Sequence, residues 1–566
     1  MAKGALFVTL LGSAFLALSP AGLEAAEEHL GKVNFPNSCS AEAQRLIERG
    51  VALLHSFQYQ EAQQTFEELG TRDAKCATAH WGKAMTLYYQ LWEFPDEKKM
   101  QEGRKEIEQA RNLHPANPKE QGFEAAAAAF YQKKSKMTHA QHVEAYCSAL
   151  EKLHSQFPDD VEVSSFYALS LVALAEEDVD PLANQKKAIA ILQPLLEKYP
   201  DHPGVAHYLI HAADRPELAP EGLEAARRYA AIAPDSPHAL HMPSHIFVRL
   251  GLWQDSITSN IAANESAARL AEMHKAESHY QTHAMDFLSY SYLQSGQEAK
   301  AREVIAHMDH VVGASEEDKT DHRAYLQART AVELHRWKEA ATFEDPQVRK
   351  DQQDATRWAR AIGAARGGDL AIAELAVKQL GESVAERENR SRKQGYPPPT
   401  EKATDLREAE AWLAFANGKF EDALKELRAA AEHQEKNGGE STVVPAREML
   451  ADMLMELKRP SEALIEYRMV LKNAPNRFDG LLGAARAAQA TGDTSGAQSF
   501  YAKLTEVCPP GADRPELAEA KTFVARNEQD RSVPASAGAG RTQFRIASGH
   551  GVAFSAYYTY RHAQRR

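Results

Sequence analysis

Lys458-Arg459-Pro460-Ser461-Glu462-Ala463, followed by Tyr467 and Pro475, has a counterpart 34 residues on, where Gly492-Asp493 precedes Ala497 and Tyr501. Each stretch reads as a turn that leads into a helix, with a small residue early in that helix and an aromatic one turn later. The same frame recurs upstream. Gly418-Lys419-Phe420 leads to Ala423, His335-Arg336-Trp337 to Ala340, Gly296 to Ala301 and Gly251-Leu252-Trp253 to Ser256. Near the N-terminus, Gly50, Phe57, Tyr59, Ala62 and Phe66 fit the spacing of one whole unit. Small residues let paired helices approach, and the aromatic fills the gap beside them, so repetition in register predicts stacked helix pairs.

This frame resembles the tetratricopeptide repeat, a 34-residue helix-turn-helix unit. The resemblance spans roughly residues 41 to 510 and implies an all-α superhelical solenoid with irregular insertions. It also implies a concave groove of the kind that holds a protein, peptide or other ligand. The frame is lost between Trp92 and Thr138, although helical periodicity persists over Lys105 to Leu113 and Gln121 to Lys133. It is interrupted again from Glu382 to Thr404, where Arg390-Ser391-Arg392-Lys393 and Pro397-Pro398-Pro399 read as a basic loop with a polyproline step. The expected organisation is a leader over 1–26, a helical region over 27–160 and a central histidine-rich region over 161–345. A helical segment and basic loop over 346–402 follow, then C-terminal repeats over 403–512. A short helix and a disordered basic tail over 513–566 end the chain.

The chain has 566 residues, 43% of them hydrophobic and 26% charged, and a net charge of −13. That composition suits a folded repeat array or several cores, and excludes collagen-like and polytopic membrane proteins. An acidic balance argues against nucleic acid as partner, because that affinity comes largely from lysine and arginine on phosphates. Lys3, the apolar run Ala5 to Leu18 and the small residues through Ala25-Ala26 read as a secretory signal peptide. The expected location is therefore periplasmic or secreted, with no membrane-spanning segment once the leader is removed. In an oxidising compartment Cys39 and Cys76, which flank the first helical hairpin, are a candidate disulfide. Cys147 and Cys508 read as buried small residues.

Histidine stands out, with 23 copies. His207 and His211 lie four apart on a helix that Pro203 can start and Asp214-Arg215-Pro216 ends, so both rings share one face. His241 and His245 repeat the spacing 34 residues on, which makes the two pairs neighbours on stacked units. His279 and His283 form a third such pair with Asp286 one turn further, and His238 precedes His241 by three. Pro243 falls between His241 and His245, where a kink or a helix restart is expected.

Three readings of these rings stand side by side. His207, His211, His241, His245, His279, His283 and Asp286 suit a transition-metal site for zinc, copper or iron, with Asp214 and His238 in support. His207, His211, His238, His241, His245 and Arg249 alternatively line a ligand groove without metal. A structural polar ladder is the third reading. Asn260 and Asn264 are expected to turn towards the same groove, and Arg227 and Arg228 to solvate a face. His55 and His80 read as packing or surface residues, and Trp253, Trp337 and Trp412 as packing residues. No zinc-protease H-E-x-x-H, nucleophile elbow, phosphate loop or dinucleotide fingerprint is present. The functional expectation is an exported solenoid that binds an envelope protein, a peptide or a small molecule in its groove, with a metal-binding protein or metalloenzyme as the alternative.

Overall fold

A computed structural model of the chain describes residues 28–532, apart from 36, 92–93, 134–136, 178, 274–277, 394–398, 400, 437 and 439–441. The expected leader, the tail beyond 532 and Pro397-Pro398 lie outside the described residues. Within them the chain forms α-helices and short 3-10 turns, with no strand. The protein is an all-α solenoid of helix-turn-helix units, and no helix among the described residues is long and apolar enough to cross a membrane.

The backbone between paired helices explains the sequence frame. Phe57, Gly251, Gly296, His335, Gly418, Lys458 and Gly492 all adopt positive φ, between 53° and 81°. In each case the next helix begins two residues later, at Tyr59, Trp253, Glu298, Trp337, Phe420, Pro460 and Thr494. The intervening residue donates its N–H five positions back, as in Leu252 to the Phe247 carbonyl at 2.8 Å and Asp493 to the Ala488 carbonyl at 2.9 Å. This is the Schellman ending of a helix, and glycine adopts it without steric cost. Ala62, Ser256, Ala301, Ala340, Ala423, Ala463 and Ala497 then follow, all with 0% exposure. At these crossings aromatic rings replace missing side chains: a Cβ built on Gly82 would lie 2.4 Å from the Phe66 ring, and one on Gly483 would lie 2.3 Å from Tyr467.

Where the frame is lost, helices Glu97–Asn112 and Pro118–Phe130 continue the stacking. The expected basic loop is corrected in part, because Arg390-Ser391-Arg392-Lys393 belongs to helix Leu370–Lys393. Ala373, Ala376, Leu380, Ser383 and Val384 give that helix a buried stripe, and Arg387 in the next turn pairs with Asp354 and Asp405. The cations that follow suit the negative end of the helix dipole. Cys39 and Cys76 are bonded to each other, with Cα atoms 4.7 Å apart, and staple the segment before the first hairpin to the start of helix Ala77–Leu87.

An apolar core runs from Leu30 to Phe247 and a second from Ala328 to Ala520, with a smaller cluster between Ile257 and Leu334. The superhelix curls until distant turns meet. Asn476 Nδ2 donates to the Gly251 carbonyl at 3.1 Å, and Trp253 Nε1 donates to the Asn476 carbonyl at 2.8 Å. Arg249 reaches the Gly438 carbonyl and Arg329 the Thr442 carbonyl, at 3.1 and 3.0 Å. The curl lines an open cavity of about 1330 Å³.

Gly251 is a sharp test of this closure, because its φ is +65° and an added Cβ would lie 2.0 Å from the Pro475 carbonyl oxygen. Gly251→Ala is expected to lower stability by about 2–3 kcal/mol, combining left-handed strain with overpacking. Urea melts of wild type and variant check this, and an unchanged midpoint would count against the contact.

Candidate metal centre

Helix Pro203–Ala212 begins with Pro203 in its first turn, and the His202 side chain caps it by accepting the Val205 N–H at 3.2 Å. One unit later, Ser236 caps Pro237–His241 through the Ala239 N–H, and Pro243 opens a separate helix, Pro243–Arg249. His241 and His245 thus sit on two short helices across a proline restart. Their Nε2 atoms nevertheless lie 3.0 Å apart. The third element is helix His279–Gln294, which is buried throughout except at His279, His283 and Asp286. That spacing of four and three residues is one helical stripe.

The structure divides the predicted histidines into two triads. His207, His211 and His238 bring their ring nitrogens together, as do His241, His245 and His283, each set within 4.8 Å. The triads adjoin, with ring centroids of His211 and His245 6.3 Å apart and those of His238 and His241 6.2 Å apart. The expected set is corrected in three respects. His207 and His211 do not share a triad with His241 and His245, because the kinked helix directs His238 to the first pair and leaves room for His283 beside the second. Asp286 is taken by Arg329 and by the Thr442 hydroxyl, at 3.1 Å for the latter. His279 lies outside both triads, its ring against Tyr280 with centroids 4.0 Å apart.

Proton placement distinguishes this cluster from an ordinary polar ladder. His241 Nδ1 lies 2.7 Å from Asn260 Oδ1, and Asn260 Nδ2 donates to the Ser256 carbonyl at 2.8 Å. The amide oxygen therefore accepts, and His241 carries its proton on Nδ1. His245 Nδ1 donates to Asp214 Oδ2 at 2.7 Å. Burial alone would raise the Asp214 carboxyl, but Arg249, whose Nε donates at 2.8 Å, and His245 hold it well below the usual carboxylate range. When both rings are neutral, each therefore turns a bare Nε2 lone pair towards the other. Two acceptors at that distance repel unless a cation lies between them.

A third cluster makes the contrast. His55, Glu162 and His202 are buried together, yet every ring nitrogen there has a complementary partner. His202 Nδ1 accepts from Val205, so its Nε2 donates to Glu162 at 3.0 Å; His55 Nε2 meets the other carboxylate oxygen at 2.8 Å and its Nδ1 meets the Tyr208 hydroxyl at 2.8 Å. The network is sealed and structural. Gly204 leaves room for it, since a Cβ there would lie 2.4 Å from His55 Nδ1. Glu162 was missed in the sequence although it carried a signal, as an acid in the first turn of the almost wholly apolar helix Val161–Glu176.

His238, His245, His279, His283 and Arg249 line the cavity, whereas His207, His211 and His241 do not. Opposite them stand Asp321, Trp358, Asp354 and Glu408. Burial pushes the Glu408 carboxyl up to about 8, and Trp358 Nε1 donates to it at 2.7 Å. Burial likewise pushes Asp354 up to about 6, against the pull of Arg387. The cavity thus holds Glu408, which keeps its proton at neutral pH, together with His238 and His283, which burial keeps neutral, a pairing typical of functional sites. His80 pairs with Glu106 at 2.6 Å, and Arg228 with Glu224 at 2.7 Å.

No family model matches the chain. No curated protein matches it either. Among solved structures it is similar to yeast Tom70, with 12% identity over 88% of this chain and 97% of that one and a TM-score of 0.33. Human IFIT1, as a dimer with m7Gppp-AAAA, shows 14% identity over 80% and 94% and a TM-score of 0.35. Naa15/Naa10 bound to HypK-THB shows 12% identity over 87% and 93% and a TM-score of 0.25. At such values the architecture rests on the helices and turns described above.

Burial, joined by neighbouring imidazoles, holds His207, His238 and His241 well below the ordinary imidazole value and brings His211 to about 3. Burial also lowers His55, against the pull of Glu162. The unfolded chain takes up protons at these rings below about pH 6.5, while the folded chain does not until lower pH. The unfolded state then binds more protons, so stability rises with pH in this window and is lost on acidification. Metal-free protein is expected to lose up to ~1.4 kcal/mol per pH unit for each such ring between about pH 6.5 and 4. Urea melts across that range test this, and a flat profile would contradict buried neutral rings.

Proposed function

We propose that this chain is a metal-binding protein in which His241, His245 and His283 hold a transition-metal ion at the wall of a ligand cavity. The observation that carries the reading is the pair of Nε2 atoms 3.0 Å apart, on rings that each meet an acceptor at Nδ1. An intervening proton would satisfy the same geometry, but burial and the neighbouring rings His283 and His245 disfavour a charged His241 near neutral pH. A divalent ion uses the lone pairs without protonating them. Three neutral imidazoles suit zinc, copper or iron.

The surrounding contacts have the form expected of such a centre. Ligating histidines commonly donate the second ring nitrogen to a carboxylate or carbonyl, which fixes the tautomer. Asp214 and Asn260 fill that role here, and Arg249 holds Asp214 in place. His245 and His283 face the cavity, which is large enough for a small organic ligand. Export is part of the proposal, and the Cys39–Cys76 bond supports an oxidising compartment.

Elemental analysis of protein purified without affinity metals or chelators tests the proposal. A stoichiometric transition metal is expected, and His241→Ala should lose the ion of this triad with helical content preserved. Asp214→Asn should weaken that ion by about 10–100-fold, measured by chelator competition, because it removes the carboxylate that orients His245. Protein that neither retains metal nor takes up zinc, copper or iron would overturn the reading in favour of a metal-free ligand pocket.

A further inference from the structure

The remaining histidines, His207, His211 and His238, are not used by the centre just proposed. They occupy the wall immediately behind it, and their environment differs from that of their neighbours. His207 is 0% exposed and His238 3% exposed, while His211 is half-buried. In the outer triad His241 is buried, His245 is half-buried and His283 is exposed.

His207 Nδ1 lies 2.5 Å from the His55 carbonyl oxygen, which can only accept, so the proton is on Nδ1 and Nε2 is bare. That bare nitrogen faces His238 Nε2 at 3.0 Å. His211 Nε2 is buried and has no hydrogen-bond partner among the described residues. A buried ring nitrogen without a partner costs free energy of desolvation and calls for an explanation. A cation shared by three converging nitrogens supplies one. The anchoring carbonyl belongs to His55, whose own ring is locked by Glu162 and Tyr208, so His207 is held in place from a fixed part of the fold.

We infer that His207, His211 and His238 form a second transition-metal site, set deeper than the outer one and meeting the cavity wall only at His238, so that the chain carries two ions of unequal character. This rests on the metal reading of the outer triad and extends it. The inner ion, with two of its three ligands away from the cavity, acts as a structural ion. The outer ion keeps a coordination position towards the cavity through His283, and takes a Lewis-basic oxygen or nitrogen of the ligand there. Structural sites close their coordination shell, whereas working sites leave a position for water or substrate.

Cobalt(II) titration of the metal-free full chain, followed by its visible bands and then by added azide, tests this. Two equivalents are expected, only one of them changing its spectrum with azide. His211→Ala should bind one equivalent that still responds to azide, and His283→Ala one equivalent that does not. The wild-type titration stands even if a variant fails to fold. A single equivalent in wild type, unchanged in His211→Ala, would overturn the inner site while leaving the outer centre intact. No cobalt uptake would remove both. Azide shifting both ions, or acting undiminished on His283→Ala, would overturn the division between the structural and the ligand-accepting site.

Discussion

Close approach of paired helices at residues with little or no side chain is the constraint from which the rest of the molecule follows. Ala62, Ser256 and the alanines in register with them are completely buried, and Phe66 and Tyr467 lie across Gly82 and Gly483. A larger residue at these points would push the helices apart and change the curl of every later unit. The curl in turn brings the Gly251 turn to Asn476 and lines the cavity. The spacing of the histidine helices is a product of that geometry, since one unit length separates His207 from His241.

The histidine core runs against the usual economy of a solenoid interior. Apolar side chains at those positions would contribute transfer free energy, whereas buried imidazoles must find partners for two nitrogens each. The His55–Glu162–His202 network meets that demand with protein groups alone. The triads leave the buried His211 Nε2 without a partner among the described residues, and lie where the proline restart at Pro243 brings rings from separate helices together. Local departure from the regular unit and incomplete polar pairing coincide there, as is common where a fold gives up stability for a site.

Much of the architecture was legible because the turn is written in the chain as glycine, or its left-handed substitute, followed two residues later by a helix. His335 and Lys458 were recognisable in that role only from the alanine that follows. The long helix Leu370–Lys393 was misread at its end, since the run of cations there looks like a loop until its buried stripe is seen. At the site, four-residue spacing pointed to rings that the structure brings together but did not give their partition. Whether His238 joins His207 or His241 depends on the angle at Pro243, a three-dimensional quantity that spacing does not contain. Asp286 illustrates the same limit: its stripe position is as expected, but Arg329 from another helix has taken it.

The clasp between Gly251 and Asn476 joins residues 225 positions apart, and this changes how the array behaves over time. In an open solenoid each unit touches only its neighbours, so the ends fray and the spring breathes. A clasped spring cannot lengthen without breaking bonds between its two halves, which couples the halves into one cooperative unit. Contacts of such sequence separation also form late and slow the search for the native state. The gauge of the cavity is therefore set by contacts whose loop-closure cost is above that of the stacking between neighbouring units.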